Sequence, residues 1–251
     1  MIIIGKGRVG SGLVKRAERN GVHHQVITRE SGWSLFEQAG AGPILVCTNA
    51  GDLSTVVSKT PVSRHEDLVF VQNGMLDGAL ESLQCGNNTR GLLYFAAGQP
   101  GTEIKPGGAS IFTGAHAKAL SSWFHAINLE ANEVSRGAFS NEMASKLIWN
   151  CTFGLLCDVR GVSVGALVEG HRGEVDALIA ELCAVSNAAI GTSLQVHAVS
   201  VELCSYSLSI ADYCGSLKQW EWRNGWFVGA SQTHRVPTPV HDALLDGRRP
   251  N

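Results

Sequence analysis

The chain of 251 residues is long enough for one large domain or two modest ones, and its 44% hydrophobic and 17% charged residues are typical of a folded globular protein. A formal charge of −2, with no run of basic residues longer than two, gives little electrostatic support to a nucleic-acid or membrane-surface role. No apolar run approaches the roughly 18 to 20 residues that a membrane helix needs, so neither nucleic acid nor membrane is an expected partner.

Short β-rich runs alternate with helix-compatible segments up to about residue 135. Several of these runs are continuously apolar, as expected of strands covered on both faces. The alternation predicts βαβ units around a mainly parallel sheet, with the last runs pairing antiparallel at its edge. The predicted strands are residues 1–4, 24–28, 43–47, 68–72, 91–97, 109–113 and 129–134, and the predicted crossover helices are 9–20, 52–59 and 76–83.

From about residue 138 the pattern becomes helical. We therefore predict an α/β chain of two domains, a Rossmann-type domain over 1–136 and an all-helical substrate or dimerisation domain over 137–251, with a hinge at Arg136-Gly137. The large apolar share of the second half favours a homodimer. The predicted helices are residues 139–157, 172–191, 197–214, 217–234 and 237–245.

The seven cysteines indicate a reducing compartment. They form no C-x-x-C pair, one is left over in any full pairing, and most lie in apolar stretches. The N-terminal MIIIG lacks the charged leader of a secretory signal. We expect free thiols and a cytoplasmic protein. The nine histidines form neither H-x-H nor H-E-x-x-H, so no metal site is predicted.

A glycine-rich turn follows the first predicted strand. Residues 5–10 read GKGRVG, which fits the G-x-G-x-x-G fingerprint of dinucleotide sites in the strand-to-helix context that the motif requires. Gly5 would permit the tight bend, Gly7 the approach of a pyrophosphate, and Gly10 the close packing of the helix. The alternative is a purely structural turn. The predicted cofactor-binding residues of the turn are Gly5, Lys6, Gly7, Arg8, Val9 and Gly10.

The end of the second predicted strand favours NADP(H) over NAD(H). The sequence there, VITRE, places Arg29 where a cation would bind the 2′-phosphate, and Arg8 in the turn would add charge. Glu30, one residue later, is the alternative: an acidic partner for the ribose diol, or an ion-pair partner for Arg29.

The helix predicted over 139–157 carries one polar or bare stripe on a mostly apolar surface. Glu142, Lys146, Asn150 and Gly154 recur every four positions, so they share one face. A lysine and an asparagine on a mostly buried helix are costly unless something uses them. The simpler interpretation is a surface ion pair between Glu142 and Lys146.

Three motifs in one order resemble the ketopantoate reductase family (2-dehydropantoate 2-reductases). They are GKGRVG, the QNGM of residues 72–75, and Lys146-x-x-x-Asn150, and the likeness extends through nearly the whole chain. Such proteins have a Rossmann domain, a helical domain like the C-terminal one of 6-phosphogluconate dehydrogenase, and an active site in the cleft between them. The resemblance implies NADPH-dependent reduction of a 2-oxo acid, which in that family belongs to pantothenate biosynthesis.

The same resemblance implies roles for single residues. Lys146 resembles the catalytic lysine, which stabilises the developing alkoxide and donates its proton, and Asn150 the substrate-contacting asparagine. Asn73 looks like the asparagine close to both cofactor and substrate. Ser207 resembles a serine that binds the substrate carboxylate. Gln219 falls on the functional glutamate of the family, with Glu221 as an alternative.

The chain also departs from the family pattern. Gly154 replaces a second asparagine, Gln219 replaces the glutamate, and the stretch Thr48-Asn49-Ala50 offers no lysine near the cofactor. Two other functions therefore stay open. One is a catalytically degenerate NADPH-binding sensor or partner-binding protein. The other is a related reductase of imines or opine-type substrates.

Overall fold

The computed structural model describes residues 1–30, 32–37 and 41–249. The chain divides into two compact units, Met1–Phe139 and Ser140–Asn251. Arg136 and Gly137, the predicted hinge, form the first turn of a long helix that begins at Arg136.

The first unit contains a seven-stranded sheet of order β2-β1-β3-β4-β5-β8-β9. The five strands from β2 to β5 run parallel, β8 is antiparallel to β5, and β9 is parallel to β8. A mainly parallel sheet is therefore confirmed. The strands are β1 Ile2–Ile4, β2 Gln25–Ile27, β3 Ile44–Val46, β4 Leu68–Phe70, β5 Thr89–Leu92, β6 Phe95–Ala96, β7 Lys105–Pro106, β8 Ser110–Thr113 and β9 Ala131–Glu133.

Two details of the predicted strands were wrong. The run 91–97 is not one strand: β5, which belongs to the main sheet, ends at Leu92, and β6 pairs antiparallel with β7 in a separate two-stranded sheet. The last strand is not antiparallel to its neighbour, because an unpredicted crossover helix, α4, lies between β8 and β9. The helices of this unit are α1 Arg8–Arg19, α2 Leu53–Lys59, α3 Asp77–Ser82 and α4 Ala117–Ala126.

The second unit is helical, as predicted. Two of its helices are shorter than expected: α8 ends at Ser209 rather than 214, and α9 begins at Asn224 rather than 217. The intervening chain instead bonds to the start of α6, where the amides of Val164 and Gly165 donate to the oxygens of Tyr213 (2.9 Å) and Ala211 (3.0 Å). The helices are α5 Arg136–Arg160, α6 Val164–Gly170, α7 Arg172–Ile190, α8 Val196–Ser209, α9 Asn224–His234 and α10 Pro239–Leu245.

In the described part of the chain no single helix is long and apolar enough to span a membrane. Helices α5 and α6, which are bent by 83° relative to each other, pass the length and composition test only as a pair.

A buried histidine joins α10 to the core of the second unit. His241 is fully buried, and its Nε2 lies 3.0 Å from the Asn224 amide nitrogen, which donates to it. The Glu181 carboxylate of α7 accepts from the backbone amides of Val240 (2.8 Å) and His241 (2.9 Å), and so caps α10. Burial lowers the pKa of His241 to about 4.

We expect this histidine to destabilise the unit in mild acid. The unfolded chain gains a proton on His241 near pH 6.5 and the folded chain only near pH 4, so stability falls between these values as the pH falls. The pKa difference corresponds to about 3 kcal/mol of unfolding free energy. Urea unfolding at pH 7.5 and pH 4.5 measures the loss. His241→Gln retains an acceptor for Asn224 and should lose less stability, whereas the exposed His234→Gln should behave as wild type. Equal losses in all three proteins would contradict the assignment.

Candidate cofactor and substrate sites

The glycine turn of residues 5–10 joins β1 to α1 tightly. Gly5 has a φ of +95°, in the left-handed region that glycine favours, and its amide donates to the Ile27 oxygen over 2.9 Å. A β-carbon on Gly10 would lie 2.0 Å from the Gly5 oxygen, so only glycine fits there. A β-carbon on Gly7 would meet no described atom within 4 Å. The turn therefore combines a sharp bend with open space, the geometry that a pyrophosphate site requires.

The start of α1 favours a bound anion. Gly7 is the N-cap residue of α1, and no side chain among the described residues caps this end of the helix. The first turn also has no acidic residue. Lys6 and Arg8 are exposed beside the helix amides, whereas Val9 is half-buried and packs on the hydrophobic core. Amides without a cap, the helix dipole and two cations all attract negative charge.

Arg29 lies two residues after the end of β2. Its side chain is 92% exposed, and its guanidinium is 3.6 Å from the Asp52 carboxylate, which follows β3. The ion pair of Arg29 is thus with Asp52 and not with Glu30, which is exposed as well. An ion pair this exposed contributes little to stability, so Arg29 is able to exchange Asp52 for a phosphate.

The loop after β4 is fixed to the end of β3. The Gln72 amide nitrogen donates to the backbone oxygens of Val46 (2.8 Å) and Thr48 (3.1 Å). Thr48 also faces Gly5, since a β-carbon on Gly5 would lie 3.1 Å from the Thr48 methyl group. Asn73 is exposed, next to Gly74 with its φ of +105°. The structure therefore brings the QNG loop and the glycine turn together at the carboxyl edge of the sheet, where α/β proteins bind ligands.

One buried atom at this edge lacks a partner. Gln72 Oε1 is buried and has no hydrogen bond from any described residue. A buried acceptor without a donor costs about 1 to 3 kcal/mol, which a donor on a bound molecule would offset.

In the second unit, Lys146 and Asn150 lie one turn apart on α5, and both are half-buried. The Asn150 amide nitrogen donates to the Lys146 backbone oxygen over 2.7 Å, which fixes its position. Burial, followed by the positive charge of Arg223, lowers the pKa of Lys146 to about 8. An ammonium group with this pKa is able to donate a proton near neutral pH.

Arg223 is a residue of this site that the sequence analysis missed. It lies just before α9 and is half-buried, and the next residue, Asn224, donates to the Cys151 backbone oxygen of α5 over 3.4 Å. Its charge also acts on Lys146. The one available signal was a basic residue directly before Asn224-Gly225, a dipeptide typical of turns. That pair itself has structural roles, because Asn224 bonds His241 and a β-carbon on Gly225 would lie 2.6 Å from the Trp220 indole nitrogen.

The other two predicted substrate residues, Ser207 and Gln219, differ in exposure. Ser207 is fully buried, and its hydroxyl accepts from the Trp149 indole (3.0 Å) and donates to the Leu203 oxygen (2.8 Å). Gln219 and its alternative Glu221 are exposed, and Gln219 adopts left-handed backbone angles of φ 49° and ψ 51°. The structure thus places Lys146 and Asn150 together but gives Ser207 no exposed atom, and the substrate contacts of all four stay predictions.

Gly154 is the last residue of the polar stripe on α5 and lies against the backbone of Ser216. A β-carbon there would lie 3.0 Å from the Ser216 oxygen, and one on Gly215 would lie 3.0 Å from the Gly154 Cα. The chain after α8 therefore occupies the place of a side chain at this position. A side chain at 154 would require this backbone to shift.

Solved structures match the chain over nearly its whole length, although no family model and no curated protein does. A PanE/ApbA family ketopantoate reductase from Ralstonia eutropha JMP134 has a TM-score of 0.76 at 19% identity, covering 97% of this chain and 96% of that one. D-mandelate dehydrogenase in complex with NADH has a TM-score of 0.76 at 20% identity, covering 98% and 96%. The dimeric ketopantoate reductase from Staphylococcus aureus has a TM-score of 0.75 at 16% identity, covering 98% and 96%.

The chain has the ketopantoate reductase fold. The predicted resemblance is confirmed at this level, and so is the fold class of a parallel sheet followed by helices. A D-mandelate dehydrogenase has the same fold, so the fold alone does not determine the substrate.

Proposed function

We propose that the protein is an NADPH-dependent reductase that converts a small 2-oxo acid, similar to 2-dehydropantoate, to the 2-hydroxy acid. The observation that carries this proposal is Lys146, a half-buried lysine on an apolar helix with a pKa lowered to about 8. Burial of an ammonium group is costly, and it gives the lysine a pKa suited to proton donation. The dehydrogenases and reductases that share this fold act on molecules of the same chemical class, which supports the proposal.

The residues of the first unit fit a nicotinamide dinucleotide. The open space at Gly7, the uncapped start of α1 and the unpartnered Gln72 Oε1 all suit a ligand with phosphates and amide donors. Gly5 and Gly10 form the turn. Lys6, Arg8, Val9 and Asn73 complete the set that we assign to the cofactor, with Arg29 on the 2′-phosphate.

The helical unit supplies the proton and holds the substrate. Bound NADPH provides the hydride for the ketone carbon. Lys146 donates a proton to the ketone oxygen, and its charge stabilises the negative charge that develops there. Asn150, Asn73 and Gln219 orient the substrate. Ser207 fixes Trp149 through the hydrogen bond between them.

We also propose a homodimer, as in the Staphylococcus aureus protein of the same fold, and a cytoplasmic location. Half-exposed apolar side chains on α8, namely Val201, Tyr206 and Leu208, support a contact with a second copy. All seven cysteines are free thiols, which suits a reducing compartment.

A panel of 2-oxo acids that includes 2-dehydropantoate tests the proposal, with NADPH consumption followed by absorbance and the 2-hydroxy acid identified as product. Turnover that requires an added amine and gives a secondary amine would instead establish an imine reductase. Tight NADPH binding without turnover of any substrate would favour the non-catalytic alternative.

The cofactor preference depends on Arg29. We expect Arg29→Ala to weaken NADPH binding about 10- to 100-fold, because a charge-assisted hydrogen bond to the 2′-phosphate is lost, and to leave NADH binding unchanged. Glu30→Gln is the matched control and should change neither. Titration of Arg29→Ala and Glu30→Gln with NADPH and with NADH measures the affinity of each variant for both cofactors. Weaker NADH binding by Glu30→Gln, with no effect of Arg29→Ala, would assign the ribose to Glu30 and reverse the preference.

A further inference from the structure

We propose that Arg223 binds the carboxylate of the substrate. The proposal rests on the 2-oxo acid reductase function above and names the residue that selects an acid over a neutral ketone. Its basis is the position of the guanidinium on the helical unit and its lack of a carboxylate partner there.

Arg223 is a half-buried cation without a counter-charge. Among residues 1–30, 32–37 and 41–249, no side chain forms an ion pair or a hydrogen bond with its guanidinium, and its Nε is buried without a partner. A buried charge in this state is costly, because the hydration that it gives up is not replaced. The planar guanidinium presents donors that match the two oxygens of a carboxylate.

The side chains that act electrostatically on Arg223 include no carboxylate, so an anion is the suitable ligand. These side chains are the Cys151 thiol and the Tyr213 phenol, and neither is a carboxylate. Burial raises the pKa of Cys151, which keeps that thiol neutral. Lys146, the third titratable neighbour, is a second cation whose pKa Arg223 helps to lower. A 2-oxo acid would place its carboxylate on Arg223 and its ketone on Lys146.

The local backbone supports the same ligand. Arg223 is the N-cap residue of the eleven-residue helix α9, no described side chain caps that end, and no acidic residue lies in the first turn. Ser207, for which the resemblance implies the carboxylate contact, has its hydroxyl bonded to Trp149 and Leu203. Arg223 is therefore better placed than Ser207 for this role.

The test compares acid and neutral substrates. For the 2-oxo acid that the panel identifies, we expect Arg223→Met to raise KM by about 10- to 100-fold, because charge-assisted hydrogen bonds are lost. The amide of the same acid should react equally well with wild type and variant. Arg223→Lys, which keeps the charge, should recover part of the loss. Arg235→Met, at the other end of α9 and exposed, is the matched control and should behave as wild type.

A different result would assign Arg223 a role only through Lys146. In that case Arg223→Met would impair acid and amide alike. A move of the alkaline limb of the kcat profile to higher pH is expected on either account, because Arg223 lowers the pKa of Lys146. Equal losses for the two substrates would overturn the proposal. A thermal unfolding scan of each variant shows whether the fold is intact, and Arg223→Lys serves if the methionine variant is unstable.

Oxamate, an unreactive analogue of a 2-oxo acid, separates this proposal from the reductase function. Trp220, Trp222 and Trp226 lie within three residues of Arg223, so tryptophan fluorescence should report its binding to the NADPH complex. We expect binding by wild type and loss in Arg223→Met. Binding that depends on Arg223 in a protein that reduces no 2-oxo acid would refute the reductase function and retain the anion site. Absent binding, or equal binding by both proteins, would overturn the anion site itself.

Discussion

Replacing Lys146 by methionine is expected to lower kcat for 2-oxo acid reduction by about 100- to 10,000-fold, the usual contribution of a positioned general acid. Methionine keeps an unbranched apolar chain on α5 but removes the ammonium group, so the proton and the positive charge at the ketone oxygen are both lost. NADPH binding should change little, because the residues that we assign to the cofactor's phosphates lie in the first unit. Stopped-flow measurement of a single turnover, with NADPH binding measured separately, distinguishes the two effects.

The pH dependence of the wild-type rate provides a second measurement of Lys146. With a pKa of about 8 this lysine is protonated below that pH, so kcat for reduction should be level below pH 8 and fall about tenfold per pH unit above it. Lys118→Met removes an exposed lysine from α4 and is the matched control, with rate and profile unchanged. A Lys146→Met protein with the wild-type rate would remove the lysine from the mechanism.

The sheet could be predicted from the sequence because its strands are short apolar runs separated by turn residues. All seven strands of the main sheet lie within the predicted runs or overlap them. The segment between α8 and α9 could not be predicted in the same way. Its composition suits a helix, but its backbone instead lies against Gly154 and Gly165, and a β-carbon on Gly165 would be 2.6 Å from Ala211. Tertiary contact thus overrides local preference.

The residues of the candidate site also fall into two groups, those that local sequence patterns predict and those that only tertiary packing brings together. The glycine turn and the Lys146–Asn150 pair are local patterns, so the sequence displays them directly. Arg223 belongs to the candidate site only because the start of α9 lies against α5, where Asn224 donates to the Cys151 oxygen, and no spacing in the sequence indicates that contact. The burial of Ser207 likewise depends on packing against Trp149.

Replacing Gly10 by alanine is expected to destabilise the first unit by roughly 2 kcal/mol or more. The new β-carbon would lie 2.0 Å from the Gly5 oxygen and 3.3 Å from the Cys47 β-carbon, so α1 would have to move away from β1 and β3. Alanine favours a helix over glycine by about 1 kcal/mol, which is less than the cost of overpacking a fixed backbone. Chemical denaturation measures the change. Gly78→Ala on α3 has open space and is the control for helix preference alone.

Gly7→Ala separates the role of the turn in the fold from its role at a cofactor. Gly7 has a φ of −69°, and no described atom lies within 4 Å of a β-carbon there, so stability should stay within about 1 kcal/mol of wild type. The same methyl group would occupy the space through which a pyrophosphate approaches the amides of α1. We therefore expect NADPH to bind at least about tenfold more weakly to a protein that is still folded. Wild-type affinity in this variant would mean that the open space at Gly7 is not where the phosphates bind.

Wild-type stability of Gly10→Ala would mean that α1 and β1 are not as close as the turn requires. Gly7 and Gly10 are three residues apart in one motif. A loss of stability in Gly10→Ala and a loss of NADPH affinity in Gly7→Ala would therefore reflect the different surroundings of the two β-carbons.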